Sequence, residues 1–212
     1  MKRAEFEELA RKYLLPVLPG MRVGRGLIFV EPVGYLLRGL SMDSSAFDKS
    51  FAIDCFIQPL YVPADGLRFP FVFRLRDPRG KHSSWDLATQ PENYAFAEIV
   101  RAIRVEWIPI VKRYADPGSL KDWPDAWKGS HQAESVGYGL VLKRDLGQAR
   151  KWLARARDLG TADGRSWALE LAGRATAVMD SIGRGPEQAL ALLDQWTRET
   201  TAKLRPELEE RP

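Results

Sequence analysis

The sequence predicts an α+β protein, in which an antiparallel sheet of about four or five strands packs on helices and a C-terminal bundle of about four helices follows. Three features of the 212-residue chain predict this class. Short stretches of alternating apolar residues fill much of the first third. One long stretch with helical spacing follows at residues 94–115, and nearly all of the chain after residue 130 has helical periodicity.

The chain opens with an amphipathic helix and a meander of short strands. Residues 4–15 place apolar side chains at helical spacing, and Pro16 and the Pro19-Gly20 pair end the helix. The connections that follow are rich in Gly and Pro, which supply the backbone angles of tight turns. Strands are therefore predicted at residues 21–23, 27–31 and 35–40, with a polar loop at 41–49.

The clearest strand is predicted at residues 50–62. Apolar residues on one face of this strand alternate with residues of a mixed face that carries Asp54. Pro59 has no N–H to donate to a neighbouring strand, so it marks a bulge, an edge or the end of the strand. Alternating Phe and Arg side chains predict a further strand at residues 69–76. Residues 77–91 are expected to form a loop that contains a buried Trp85.

The long helix predicted at residues 94–115 should be a main core element. Its apolar residues follow the three-and-four spacing of one helix face: Phe96, Ile99, Val100, Ile103, Trp107, Ile110, Val111 and Tyr114. Pro109 removes one backbone donor and crowds the preceding turn, so a kink is predicted near residues 105–107.

A domain boundary is predicted at residues 116–129, which combine two prolines, two glycines and two tryptophans. Residues 1–118 should form the α+β domain and residues 130–205 a helical region packed on it. The helices are expected at 132–142, 146–159, 163–182 and 186–204, and the tail after them should be frayed.

The helical region contains a weak internal repeat at an offset of 40 residues. Equivalent positions carry the pairs Leu142/Ile182, Arg144/Arg184, Gln148/Gln188, Ala149/Ala189 and Leu153/Leu193. Residues 132–204 thus resemble a tetratricopeptide-like helical hairpin that occurs about twice. The alternative is four ordinary packed helices.

Residues 3–125 resemble a bacterial family known as domain of unknown function 4304. The resemblance lies in a helix, a meander, the strand FAIDCFIQPLYV, a loop with Trp85 and a helix that ends in EWIPIVKRYAD. It implies a small α+β domain and carries no established activity or functional residue. The helical region after Trp127 departs from the family's pattern.

Composition narrows the possible functions. The net charge is +4, and one cysteine, Cys55, excludes an intramolecular disulfide and fits a reducing compartment. Two separated histidines, His82 and His131, do not form a zinc-ligand cluster, and phosphate-binding glycine loops are missing from the sequence. We therefore expect no metal and no cofactor. No apolar stretch is long enough to span a membrane, so we expect a cytoplasmic protein.

A candidate ligand pocket lies on the mixed face of the predicted sheet. Asp54 is flanked by apolar neighbours, and Arg38 and Arg74 lie in neighbouring predicted strands. A buried carboxylate paired with arginine can act as an acid or base, or bind a ligand. The alternative is a half-exposed sheet face with cross-strand charge pairs, and Cys55 is expected to be a small core residue.

Other chemical candidates have simpler structural explanations. His82, among cations and serines, can bind an anion or lie at a polar hairpin tip, and His131 is expected in a helix whose N-cap is Ser130. Six cationic side chains near Trp152 form a basic cluster: Lys143, Arg144, Arg150, Lys151, Arg155 and Arg157. Cations and an aromatic ring can bind nucleic acid, but acidic neighbours and the apolar spacing around Trp152 disfavour nucleic acid as a partner.

Trp123 and Trp127 form the candidate partner surface. They are four residues apart in the boundary segment and can stack on each other on a helix face or anchor the segment to the main domain, so burial is the expected state. An exposed pair would instead provide aromatic anchors for another protein. With no convergent catalytic group, we expect a non-catalytic bacterial interaction module of the immunity or adaptor type. The alternative is a small-ligand binder or enzyme that uses the sheet-face pocket.

Overall fold

The computed structural model describes residues 2–44, 50–76 and 84–209. Within these residues the chain forms a six-stranded antiparallel sheet and seven α-helices, which confirms the α+β class. The chain divides into two compact units. The sheet unit comprises the described residues of Met1–Gln58, Val72–Arg113 and Leu204–Pro212, and the helical unit comprises Pro59–Phe71 and Tyr114–Lys203. The units are thus interleaved along the chain, whereas the sequence predicted two consecutive regions.

The sheet has the strand order β1-β2-β3-β4-β5, and β6 pairs with β4 beyond this path. The strands are β1 (Met21–Val23), β2 (Leu27–Val30), β3 (Leu36–Ser44), β4 (Ser50–Pro59), β5 (Phe71–Arg74) and β6 (Trp85–Asp86). Two differences from the prediction follow from local sequence. β3 continues into the polar stretch expected to be a loop, and β6 is too short for its two residues to show an alternation.

The seven helices agree in position with the predicted helical stretches. They are α1 (Arg3–Tyr13), α2 (Glu92–Ala102), α3 (Ile108–Arg113), α4 (Ser130–Leu142), α5 (Leu146–Asp163), α6 (Ser166–Arg184) and α7 (Pro186–Leu208). The N-cap of α4 is Gly129, so the assignment of Ser130 as the cap was wrong. Gly129 has the extended backbone angles that a cap requires, and Ser130 already lies within the helix.

α7 continues to Leu208, past the predicted end at residue 204, so part of the stretch expected to be a frayed tail is helical. The backbone amide of Arg25 donates to the carbonyl of Glu207 over 2.9 Å, so the last turn of α7 is tied to the hairpin between β1 and β2. This contact joins residues far apart in sequence. Local periodicity therefore carries no indication of it.

The helix predicted at residues 94–115 is interrupted where Pro109 was expected to disturb it. A π-helical turn, Ile103–Trp107, separates α2 from α3, and the amide of Ile108 donates to the carbonyl of Ile103, five residues earlier. Pro109 directly follows this π turn as the second residue of α3, and its ring nitrogen has no hydrogen to donate to the preceding turn. Glu106 lies within this π turn.

The core of the sheet unit lies between α1, α2 and one face of the sheet. Phe51 of β4 packs on Phe6, Phe96 and Trp85 with ring centroids 6.2 to 6.4 Å apart. Cys55 is buried in the same cluster, in agreement with its expected role as a small core residue. Burial raises the pKa of its thiol well above the usual value, which keeps the sulfur protonated and unreactive.

In the helical unit, α4, α5 and α6 pack side by side through short connections. The equivalent positions Ala149 and Ala189, and also Leu153 and Leu193, are fully buried. The helical repeat itself stays a prediction.

Among the described residues, no helix is long and apolar enough to cross a membrane.

Close approach of α5 and α6 depends on Gly160. A Cβ atom at this position would lie 2.5 Å from the carbonyl oxygen of Ala168, so any larger residue must push the two helices apart. Gly173 in the middle of α6 provides a matched comparison, because a Cβ atom there meets nothing within 4 Å.

We expect opposite stability changes from two Gly-to-Ala substitutions. Gly160→Ala should lower the free energy of unfolding by about 1 to 3 kcal/mol through overpacking, whereas Gly173→Ala should raise it by about 0.5 to 1 kcal/mol through helix propensity. Urea denaturation followed by circular dichroism measures both. Equal effects of the two substitutions would show that the α5–α6 packing described here is incorrect.

Candidate functional site

The structure brings two of the three predicted pocket residues together. The Nε atom of Arg74 in β5 lies 3.0 Å from Oδ1 of Asp54 in β4, and its terminal nitrogen also contacts a carboxylate oxygen of Asp43. Asp43 belongs to the part of β3 that was predicted to be a loop. Three adjacent strands thus contribute one ion-pair cluster.

Arg38 does not belong to this cluster. Asp54 lies between two residues of the helix-covered core, Ile53 and Cys55, so strand alternation points it toward the opposite face. Arg38 lies two residues before Leu40, which is part of that core, and therefore shares the core side of β3. Among the residues that the structure describes, the buried Nε atom of Arg38 has no hydrogen-bond partner.

The Arg74 cluster is too open for strongly perturbed acid-base chemistry. The side chains of Arg74 and Asp43 are 43% and 55% exposed, and the ion pairs with Asp54 and Asp43 raise the pKa of Arg74 further, so it stays charged. Solvent screening limits the contribution of such exposed ion pairs to stability. The arrangement fits cross-strand charge pairing, which was the alternative interpretation of these residues.

A cleft of about 570 Å³ lies next to Arg74 in the sheet unit. Its lining consists of Phe73, Arg74, Arg76, Glu106 and Ile110. The backbone amide of Arg76 donates to Oε2 of Glu106 over 3.2 Å, so the π turn places its carboxylate at the end of β5. This cleft was not predicted, because it depends on the π turn and on tertiary contacts.

The two tryptophans of the predicted partner surface have different environments. Trp123 packs within the helical unit, with its ring centroid 5.5 Å from Phe71 and 4.9 Å from Tyr114. Trp123 is half-buried, so the expectation of burial is met only in part by this residue. Trp127 is 47% exposed, so for Trp127 the expectation is wrong. The turn between the two tryptophans gives Asp125 a positive φ of 60°, and within it Ala126 is buried while Trp127 is exposed.

Trp127 is held at the surface by contacts from α5. Its ring meets Trp152 edge to face with centroids 4.7 Å apart, and the guanidinium of Arg155 lies 5.5 Å from the Trp127 centroid. Arg155 Nε also donates to the carbonyl oxygen of Trp127 over 3.2 Å. We call Trp127, Trp152 and Arg155 the aromatic patch. Ring packing, a cation–π contact and a hydrogen bond thus all act on Trp127.

The helix beneath the aromatic patch carries excess positive charge. α5 contains four cationic side chains and two acidic ones. Arg157 pairs with Asp158 over 2.8 Å, while Lys151 lies one turn from Arg155 and is exposed. The patch is therefore an aromatic surface with a positive border.

A buried charged network that the sequence did not indicate lies between α4 and α6. The side chain of Glu134 is fully buried and accepts two hydrogen bonds from Arg174, at 2.9 and 3.1 Å. The hydroxyl of Tyr138 donates to Oε1 of Glu134 over 3.0 Å. Burial raises the pKa of Glu134, and the guanidinium of Arg174 opposes this shift. With its three bonds the carboxylate is satisfied, which is typical of a structural network.

His131 lies near this network and stacks on Trp167 with centroids 4.9 Å apart. Burial, together with the nearby charges of Arg68 and Arg174, lowers the pKa of the imidazole, so it is neutral at physiological pH. The other candidate, His82, lies outside the described residues. Within the described part of the chain, no group of His, Cys, Asp and Glu residues is arranged to hold a metal ion.

Comparison with known proteins adds no relative: no protein-family model, curated protein or solved structure matches the chain. The resemblance of residues 3–125 to domain of unknown function 4304 thus stays a prediction.

Removal of Arg174 should make the stability of the chain depend strongly on pH. Without the guanidinium, the pKa of buried Glu134 rises further above its value in the unfolded chain. Between these two pKa values the folded chain binds a proton that the unfolded chain releases, so stability falls as pH rises. We expect Arg174→Ala to cost about 3 kcal/mol at pH 8 and clearly less at pH 5, measured by urea denaturation.

The double variant Arg174→Ala, Glu134→Gln is the matched control. It leaves no buried carboxylate to titrate at this position, so its stability relative to the unaltered chain should differ little between the two pH values. A pH-dependent loss of the same size in the double variant would assign the effect to other groups.

Proposed function

We propose that the chain is a non-catalytic protein-interaction module that binds an acidic segment of a partner protein through the aromatic patch. The observation that carries this proposal is Trp127, which is 47% exposed yet fixed by Trp152 and Arg155. A large exposed aromatic side chain held in one position loses little conformational entropy when a partner covers it. Tryptophan and arginine are the residues most enriched at interaction hot spots.

The charge around the patch supports an acidic partner. Arg155 lies over the Trp127 ring, Lys151 is one helical turn from Arg155, and α5 as a whole carries more cationic than acidic side chains. Opposite charge on the partner would steer association and fix its orientation. The acidic residues in the same segment, including Asp125 and Asp158, dilute the positive field and disfavour nucleic acid as the ligand.

The competing function, a small-ligand site or enzyme on the sheet face, receives less support. Of its three residues, Arg38 lies on the other face from Asp54, and Arg74 is engaged by two carboxylates. The buried Glu134 network offers no better catalytic centre, because its hydrogen bonds are used within the fold.

Capture experiments with surface variants test the proposed function. Full-length chain immobilised on beads should recover a stoichiometric protein from native lysate, and Trp127→Ala should reduce its affinity at least about thirtyfold, as expected for a hot-spot residue. Binding measured with the purified partner should weaken with salt, and Arg155→Glu should weaken it as well.

Leu169→Ala is the matched control, because Leu169 is also apolar and half-exposed but lies at the start of α6. It should leave capture unchanged. The proposal fails if no stoichiometric partner is recovered, if Trp127→Ala and Leu169→Ala behave alike, or if nuclease treatment abolishes capture.

A further inference from the structure

The outer edge of β5 is a second surface with distinct chemistry. β5 ends the strand order of the sheet and has β4 as its neighbour among the described strands. The amide of Leu75, just after β5, donates to the carbonyl of Ile53 in β4 over 2.8 Å. Since backbone groups alternate along a strand, the amides and carbonyls of Val72 and Arg74 point away from β4. Val72 is also 43% exposed.

The cleft of about 570 Å³ lies along this edge. Phe73 and Arg74 come from the strand, while Glu106 and Ile110 come from the π turn and α3. At one end of this edge, the amide of Arg76, which is the next to point outward, donates to the Glu106 carboxylate. The protein thus closes one end of the edge with its own side chain and leaves the outward groups of Val72 and Arg74 beside the cleft.

We propose that this cleft binds an extended peptide of another protein, which adds as a strand to the outer edge of β5. Strand addition uses the partner's backbone to satisfy the outward amides and carbonyls, and pockets for alternate side chains give specificity. The inference concerns a surface of the sheet unit and is independent of the aromatic patch.

The side chains around the cleft define the peptide's chemistry. Phe73 and Ile110 form an apolar wall, while Arg76 lies on the Arg74 side of the strand. The side chain of Arg76 is exposed and lines the cleft, so its positive charge is available to an acidic residue of the peptide. Consecutive peptide residues point to opposite sides of a sheet, so the fitting sequence has an apolar residue next to an acidic one.

The test uses a random heptapeptide display library selected against the full-length chain. Enriched peptides should contain adjacent apolar and acidic residues, and their affinity is measured by fluorescence anisotropy. Val72→Pro removes an outward N–H that makes no bond to β4, so the sheet should be retained while binding falls at least about tenfold. Val72→Thr keeps the N–H and is the matched control, which should bind as well as the unaltered chain.

Two further measurements keep the proposal testable if Val72→Pro fails to fold. In an added strand, every second peptide amide points toward β5 and the others point away. N-methylation of the amides that point toward β5 should abolish binding to the unaltered protein, and N-methylation of the others should not. Arg76→Glu should weaken peptides with an acidic residue and spare those in which it is replaced by lysine. Enrichment of no peptide, or equal binding to Val72→Pro and Val72→Thr, would overturn the proposal.

Discussion

The helical unit depends on burial of a single carboxylate, that of Glu134. Removing a carboxylate from water costs several kcal/mol, and this cost is offset only where good hydrogen bonds replace the lost hydration. Here Arg174 binds both oxygens and Tyr138 adds a third bond. The ring of Tyr138 in turn packs on Trp196, 5.6 Å away, so one network ties α4 to α6 and α7.

This constraint fixes the start of α4, and with it the segment that carries the aromatic patch. His131 stacks on Trp167, and the side-chain amide of Gln132 donates to the carbonyl of Pro70 over 2.8 Å. Trp127 lies three residues before the start of α4 and packs on Trp152. The buried Glu134 network therefore stabilises the helix that follows the exposed Trp127, and the charges of the network are paired inside the fold.

The sequence was sufficient where burial follows a local period. Phe51 and Ile53 alternate along β4, and Phe96 and Ile99 share one helix face, so both elements were predictable. It was insufficient where tertiary register decides. The opposite faces of Arg38 and Asp54, the approach of Asp43 to Arg74, and the pairing of Glu134 with a residue 40 positions later all depend on strand or helix packing. Trp127 is a candidate from the sequence alone, but its exposure is decided by tertiary packing, which places it at the surface and buries the adjacent Ala126.

The most direct test of the central claim is fluorine NMR of the chain labelled with 5-fluorotryptophan at its seven tryptophans. Resonances are assigned with single Trp-to-Phe variants, and the purified partner is then added. The account predicts the largest shift at Trp127, a smaller one at Trp152, and little change at Trp123 and Trp196. Shifts confined to other tryptophans, with Trp127 unchanged, would contradict it.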